Sequence, residues 1–142
     1  MNVSDIMTAR VVAMDADATV ALVAKRMRDE SVGSVIITRH DKMVGIVTDR
    51  QITHTVVADS QDATKVPVSE IMFIDFVPLE PDMDIHQAVR LMRELAMRRL
   101  PVVVDGKPVG IVSVSDIAAF AKELIDCVLV EGEVRVLRRS EK

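Results

Sequence analysis

The sequence predicts an α+β fold made of two tandem β-α-β-β-α repeats, each covering the other's apolar face, with a short β-rich C-terminal tail. Three observations predict it. Residues 3–58 overlay residues 68–123 without a gap, at a constant offset of about 65. VSDIM at Val3–Met7 meets VSEIM at Val68–Met72, and KMVGIVT at Lys42–Thr48 meets KPVGIVS at Lys107–Ser113. Within each copy the apolar spacing switches between the strand period and the helix period. Finally, a copy of roughly 60 residues buries too little surface to be stable alone, so its twin is the natural cover.

The elements follow in order. Val11–Met14 reads as a short strand. Asp17-Ala18-Thr19 offers cap chemistry for a helix over Val20–Glu30, whose apolar stripe is Val20, Val23, Ala24 and Met27. Ser34–Thr38 and Met43–Thr48 are β-rich runs on either side of the polar turn His40-Asp41. A second helix runs from about Asp49 to Val57. The second copy repeats this, with a strand at Phe76–Leu79 and a helix capped by Asp84 that carries Ile85, Ala88, Val89, Met92 and Leu95. Strands at Leu100–Val104 and Val109–Ser113 flank the tight-turn pair Asp105-Gly106. The last helix starts at Ser115-Asp116 and turns Ile117, Ala118, Ala121 and Leu124 or Ile125 inward. In the tail, Val128–Val130 and Val134–Leu137 alternate around Glu131-Gly132, which predicts a hairpin. The resulting division is a first repeat at 1–58, a polar linker at 59–67, a second repeat at 68–124 and an extension at 125–142.

Composition narrows the function. A net charge of −4 argues against a general nucleic-acid binder, which would carry a basic face. No apolar run approaches the ~18 residues of a membrane span, and MNVSDIM does not read as a signal peptide. With no Trp or Tyr and only 3 Phe, the core must be aliphatic, and most of the 9 Met serve as soft filler. Cys127 stands alone, so it forms no internal disulfide and reads as a small buried hydrophobe. The expected location is cytoplasmic.

Most catalytic signatures are missing: GxGxxG, GxxxxGK[ST], HExxH, GxSxG and CxxC do not occur. His40, His54 and His86 lie far apart, and each reads best as a solvated or structural side chain. Asp116 or Asp49 as a catalytic base lacks a nucleophile, metal cluster or acid partner at suitable spacing, so no enzyme is expected. The basic tail from Arg135 to Lys142 is interspersed with Glu and reads as a solvated end. The informative run is Gly110-Ile111-Val112-Ser113-Val114-Ser115-Asp116-Ile117. It puts a hydroxyl at a strand end and a carboxylate in the first turn of the next helix. A helix start attracts phosphate, and a carboxylate one turn in can accept from both hydroxyls of a ribose. Ser and Asp at a helix start are also good caps, and on chemistry alone capping is the simpler account.

The two copies resemble tandem CBS domains, named after cystathionine β-synthase. Val3-Ser4-Asp5-Ile6-Met7-Thr8, Leu100-Pro101-Val102-Val103-Val104-Asp105-Gly106 and both Gly-Ile-Val-[Thr/Ser] runs carry the resemblance, which covers residues 3–123. It implies a regulatory, non-catalytic module whose sheets pack about a pseudo-twofold axis, leaving two related clefts. The implied ligand is an adenosine compound: AMP, ADP or ATP first, S-adenosylmethionine or NAD(H) as alternatives. No cofactor or metal is required. A homodimer, a disc of two pairs, is implied as well, as is an unidentified partner protein that receives the signal; no nucleic acid or membrane is expected. Carried over by position, Met72–Val77 packs on the adenine, Arg99 and Pro101 line the cleft wall, Ser113 contacts phosphate and Asp116 holds the ribose. The first copy departs from the pattern, with Thr48 at the hydroxyl position, Gln51 at the carboxylate position, and Ser34 and Ile36 opposite Arg99 and Pro101. Arg50 reaches phosphates across the seam or lies in solvent. The expectation is one working cleft at Ser113 and Asp116 and a weak one at Thr48 and Gln51. The competing reading is a dimerisation scaffold with no tight ligand.

Overall fold

The computed structural model describes residues 1–140. Helix α1 (Val3–Ile6) leads into β1 (Ala13–Asp15), α2 (Val20–Glu30), the hairpin β2 (Ser34–Arg39) and β3 (Lys42–Thr48), and α3 (Asp49–Ile52). A 3-10 turn at Val68–Glu70 opens the second copy, followed by α4 (Ile85–Glu94), the hairpin β4 (Arg99–Val104) and β5 (Lys107–Ser113), and α5 (Val114–Ser140). Strands order β1-β2-β3 in one sheet and β4-β5 in the other. The fold is α+β in two repeats, as the repeat pattern predicts.

Local chemistry sets the boundaries. Thr19 caps α2 by accepting from the Leu22 amide, and Asp84 caps α4 by accepting from the His86 amide at 2.8 Å. α3 widens into a π-helical stretch at Thr53–Val57, where Thr53 and Thr55 hydroxyls donate back to the Asp49 and Gln51 carbonyls. Such back-bonds compete with the regular ladder. The β2–β3 turn places His40 and Asp41 at positive φ, and the β4–β5 turn does the same with Asp105 and Gly106.

The repeats are interlocked by exchange of their N-terminal segments. The Val3 and Ser4 amides donate to the Met83 and Pro81 carbonyls of the second copy, at 2.9 Å each. The equivalent Val68 and Ser69 amides donate to Ala18 and Ala16 of the first copy, at 2.8 and 3.2 Å. Thr8 bridges Ile111, and its counterpart Phe73 bridges Ile46. Every one of these contacts has its mate under the repeat offset, which is the signature of a pseudo-twofold axis. The cores follow suit. Val68 is buried with Val23, Val35 and Val47, whereas Val3 is buried with Leu79, Leu100 and Val112. Each copy thus completes the other's aliphatic core.

Four expectations are corrected. The Phe76–Leu79 strand reduces to one bridge, Leu79 to Val102, because only Leu79 turns inward to bond Pro101 and Val103. The C-terminal hairpin does not form: α5 runs unbroken through Ser140. Once the Ser113–Asp116 cap has started the helix, adding residues costs little, and one Gly lowers helix propensity by only ~1 kcal/mol. Of the inward face expected of α5, Ile117 packs on the second core, while Leu124 and Ile125 are 51% and 60% exposed. Cys127 is exposed rather than buried, since it lies on that same free-standing stretch. The last residues of the basic tail, Glu141 and Lys142, lie outside the described residues.

Candidate functional site

The two helix starts that follow β3 and β5 carry the same local device. The Ser113 amide and hydroxyl both donate to Asp116 Oδ2 at 2.8 Å, and the Asp116 amide donates to Ser113 Oγ at 3.1 Å. In the first copy the Thr48 amide donates to Gln51 Oε1 at 2.9 Å, and the Gln51 amide to Thr48 Oγ1 at 3.2 Å. Both are reciprocal capping boxes, so capping is real in both copies. The copies differ in what is left over. Gln51 Nε2 donates to the Ile71 carbonyl at 3.5 Å, which ties the amide to the exchanged segment. Among the described residues no hydrogen bond ends on Asp116 Oδ1, and Asp116 lines a cavity of about 230 Å³.

That cavity is walled by both copies. Ser113, Asp116, Ile111 and Arg99 come from the second; Thr8, Arg10, Val12 and the Ser31–Ser34 run come from the first. Met72 and Val77, expected over the Ser113–Asp116 cleft, are not among the residues that line this cavity. Thr8–Val12 holds that place because the exchanged segment pairs with Ile111, whereas Met72 lies against Gly45 on the Gln51 side. Val77 is half-exposed and lines neither this cavity nor the next. Pro101 is buried in β4 opposite Ile111 and also lines neither. Arg10, missed by sequence reasoning, pairs with Glu30, which also meets Arg26 at 3.4 Å. No sequence signal distinguishes this crossing from packing within a copy, because the apolar pattern of VSDIM reads the same on either sheet.

A second cavity, about 290 Å³, lies between the two helix starts. Thr48, Asp49 and Arg50 enter it from the first copy and Ser113, Val114 and Ser115 from the second, with Met97, Arg98 and Arg99 along one wall. Arg99 and Ser113 line both cavities. Gln51 lines neither. His40, His54 and His86 are exposed, and His86 pairs only with Asp84, at 3.1 Å. Among the described residues no cluster of three or more His, Cys, Asp or Glu is placed to hold a metal ion. No helix is long and apolar enough to cross a membrane.

Two interlocked α+β repeats, with a hydroxyl–carboxylate cap lining a cleft at their seam and a hydroxyl–amide cap in the twin position, define a paired-repeat binding module. The CBS domain family model matches residues 3–58 and 68–123, and the chain belongs to that family as a tandem pair. Domains of this family in pairs are regulatory ligand-binding modules. The CBS domain-containing protein YhcV of Bacillus subtilis is 33% identical over 117 residues, covering 82% of this chain and 83% of its own length. The uncharacterized protein MK0525 of Methanopyrus kandleri is 38% identical over 101 residues, 70% of this chain, and the match spans 52% of that longer protein. Among solved structures, the hexameric CBS-CP12 protein from bloom-forming cyanobacteria is 33% identical with a TM-score of 0.74, covering 83% of this chain and 69% of its own.

Proposed function

We propose that this chain is a sensor that binds an adenosine-containing ligand, with AMP, ADP or ATP first, and passes its occupancy to a partner protein. The observation that carries the reading is Asp116. Its Oδ2 is fixed by two donors at 2.8 Å, its Oδ1 has no partner among the described residues, and the residue lines the seam cavity. A carboxylate held this way can accept from the two hydroxyls of a ribose, as acidic residues do in dinucleotide folds. The Gln51 counterpart has its amide committed and brings no charge, so one nucleoside site is proposed, at Ser113 and Asp116. Because both copies wall that site, a bound ligand favours one arrangement of the halves, which is the signal. The protein acts in the cytoplasm, without chemistry on its ligand.

Thermal unfolding against AMP, ADP, ATP, S-adenosylmethionine and NADH tests this. A ligand at 100 times its Kd adds about 2.7 kcal/mol to the folded state, several degrees for a chain of this size. A shift that Asp116→Ala removes supports the reading; no shift with any adenosyl compound overturns it.

A second reading, a homodimerisation scaffold, is favoured by α5. Leu124, Ile125, Val128 and Leu129 are 51–67% exposed on consecutive turns, an apolar surface that association would cover. A monomer by sedimentation at micromolar concentration excludes it.

A further inference from the structure

We propose that the outer part of α5 is a self-docking surface on which two copies of this chain pair antiparallel. The proposal deepens the scaffold reading, on which it rests for the premise that α5 is covered; the adenosyl site at Asp116 stands apart from it.

α5 is about 40 Å long, and Ile117 packs its first turn on the second core. Beyond that turn the helix leaves the body, and residues 121–130 are all exposed. Leu124, Ile125, Val128 and Leu129 share one face and line a groove of about 210 Å³ with no polar residue in its lining. This stretch is poorly suited to stand alone. Val128, Val130, Val134 and Val136 are β-branched, and Gly132 is a weaker helix former still. Growth from the Ser113–Asp116 cap carries the helix forward, but packing of an apolar face supplies most helical stability. Residues 121–130 take no such cover from the body of the chain.

Charge says what the cover is. Over 116–133 the helix carries Asp116, Glu123, Asp126, Glu131 and Glu133 against Lys122 alone. Over 134–140 it carries Arg135, Arg138 and Arg139 and no acid. The Lys122–Asp126 pair, at 3.9 Å, is exposed and offsets little of this. Two such helices side by side in the same direction set acid on acid and arginine on arginine. Reversed, the acidic stretch of each lies along the basic end of the other, as opposite charges favour. With Glu123 and Asp126 of one copy alongside 135–138 of its mate, Leu124–Leu129 lies along 132–137, which carries Val134, Val136 and Leu137. A helix that complements itself only when reversed fits a second copy about a twofold axis, where both partners present the same patch.

Sedimentation equilibrium of the full chain tests this on wild type, Ile125→Glu, Leu129→Glu and the pair Arg135→Glu/Arg138→Glu. Ile125 and Leu129 are exposed, so neither change threatens the fold. The expected result is a wild-type dimer that added salt weakens, with a dissociation constant that each groove substitution raises at least about tenfold. Arg135→Glu/Arg138→Glu weakens the dimer severalfold, and adding Glu123→Arg/Asp126→Arg to it restores the dimer, which a merely damaged helix would not allow. A dimer that salt strengthens and that ignores reversal of one end is parallel and overturns the proposal. A dimer indifferent to Ile125→Glu and Leu129→Glu uses another face, which overturns the proposal and keeps the scaffold reading. A monomer throughout removes both and leaves α5 to a partner of another kind.

Discussion

Gly110 and Met7 touch across the two repeats: a Cβ on Gly110 would lie 2.7 Å from the Met7 sulfur and 3.0 Å from the Thr8 carbonyl oxygen. Gly45 and Met72 repeat the contact, with the sulfur at 2.6 Å. A thioether can swing aside, but Thr8 is held by its bridge to Ile111. Gly110→Ala is therefore expected to cost about 1–3 kcal/mol through overpacking. Urea unfolding checks the number, and the variant should also lose ligand response, because Thr8 walls the Asp116 cavity.

The exchanged valines give a second prediction. Val3 and Val68 are both fully buried, each in the core of the other copy. Val3→Ala and Val68→Ala should each cost about 2 kcal/mol. Fragments 1–58 and 68–123, made separately, should each fail to unfold cooperatively, and circular dichroism of each alone checks this.

Capping and ligand binding separate at the two helix starts. Asp116→Ala and Gln51→Ala remove equivalent caps and should each cost about 1 kcal/mol. Only Asp116→Ala should abolish the adenosyl-dependent thermal shift. Equal loss in both variants would reduce Asp116 to a cap.

The two hairpin turns differ at both central residues. His40 and Asp41 have φ of 53° and 64°; Asp105 and Gly106 have 51° and 79°. Both central residues at positive φ favour Gly, so Asp41→Gly should stabilise by about 0.5–1 kcal/mol, read from the urea midpoint.

Two carboxyls contribute to the acid response. The His86 amide holds Asp84 below the ordinary carboxylate value of 3.8, and the Thr64 hydroxyl and then amide do the same for Asp62. A lowered folded value stabilises above the unfolded value of 3.8, and that stability disappears as pH falls through the lower folded value. Asp84→Asn should flatten the dependence of the urea midpoint on pH between about 5 and 3.

Much of this was legible beforehand. Period-2 runs located both hairpins, and Thr19 and Asp84 marked helix starts that the caps realise. Ser113 with Asp116 was readable as a hydroxyl–carboxylate pair. The crossing is not: Val3 looks equally apolar against either sheet, so the sequence does not mark Thr8 and Arg10 as walls of the cleft that carries Asp116. The tail misled because β-branched content at Val128–Val130 outweighed, on paper, a helix already under way from Val114.

The exchange also has a consequence in time. Val68 lies in the first core, so a growing chain carries an unfinished first repeat until its second repeat has begun. The Thr8–Ile111 bridge joins residues from nearly opposite ends of the paired region. Contacts so distant in sequence pay their loop-closure entropy before they reward it, which slows folding. The molecule closes late and as a unit, and until it closes neither cleft has both its walls.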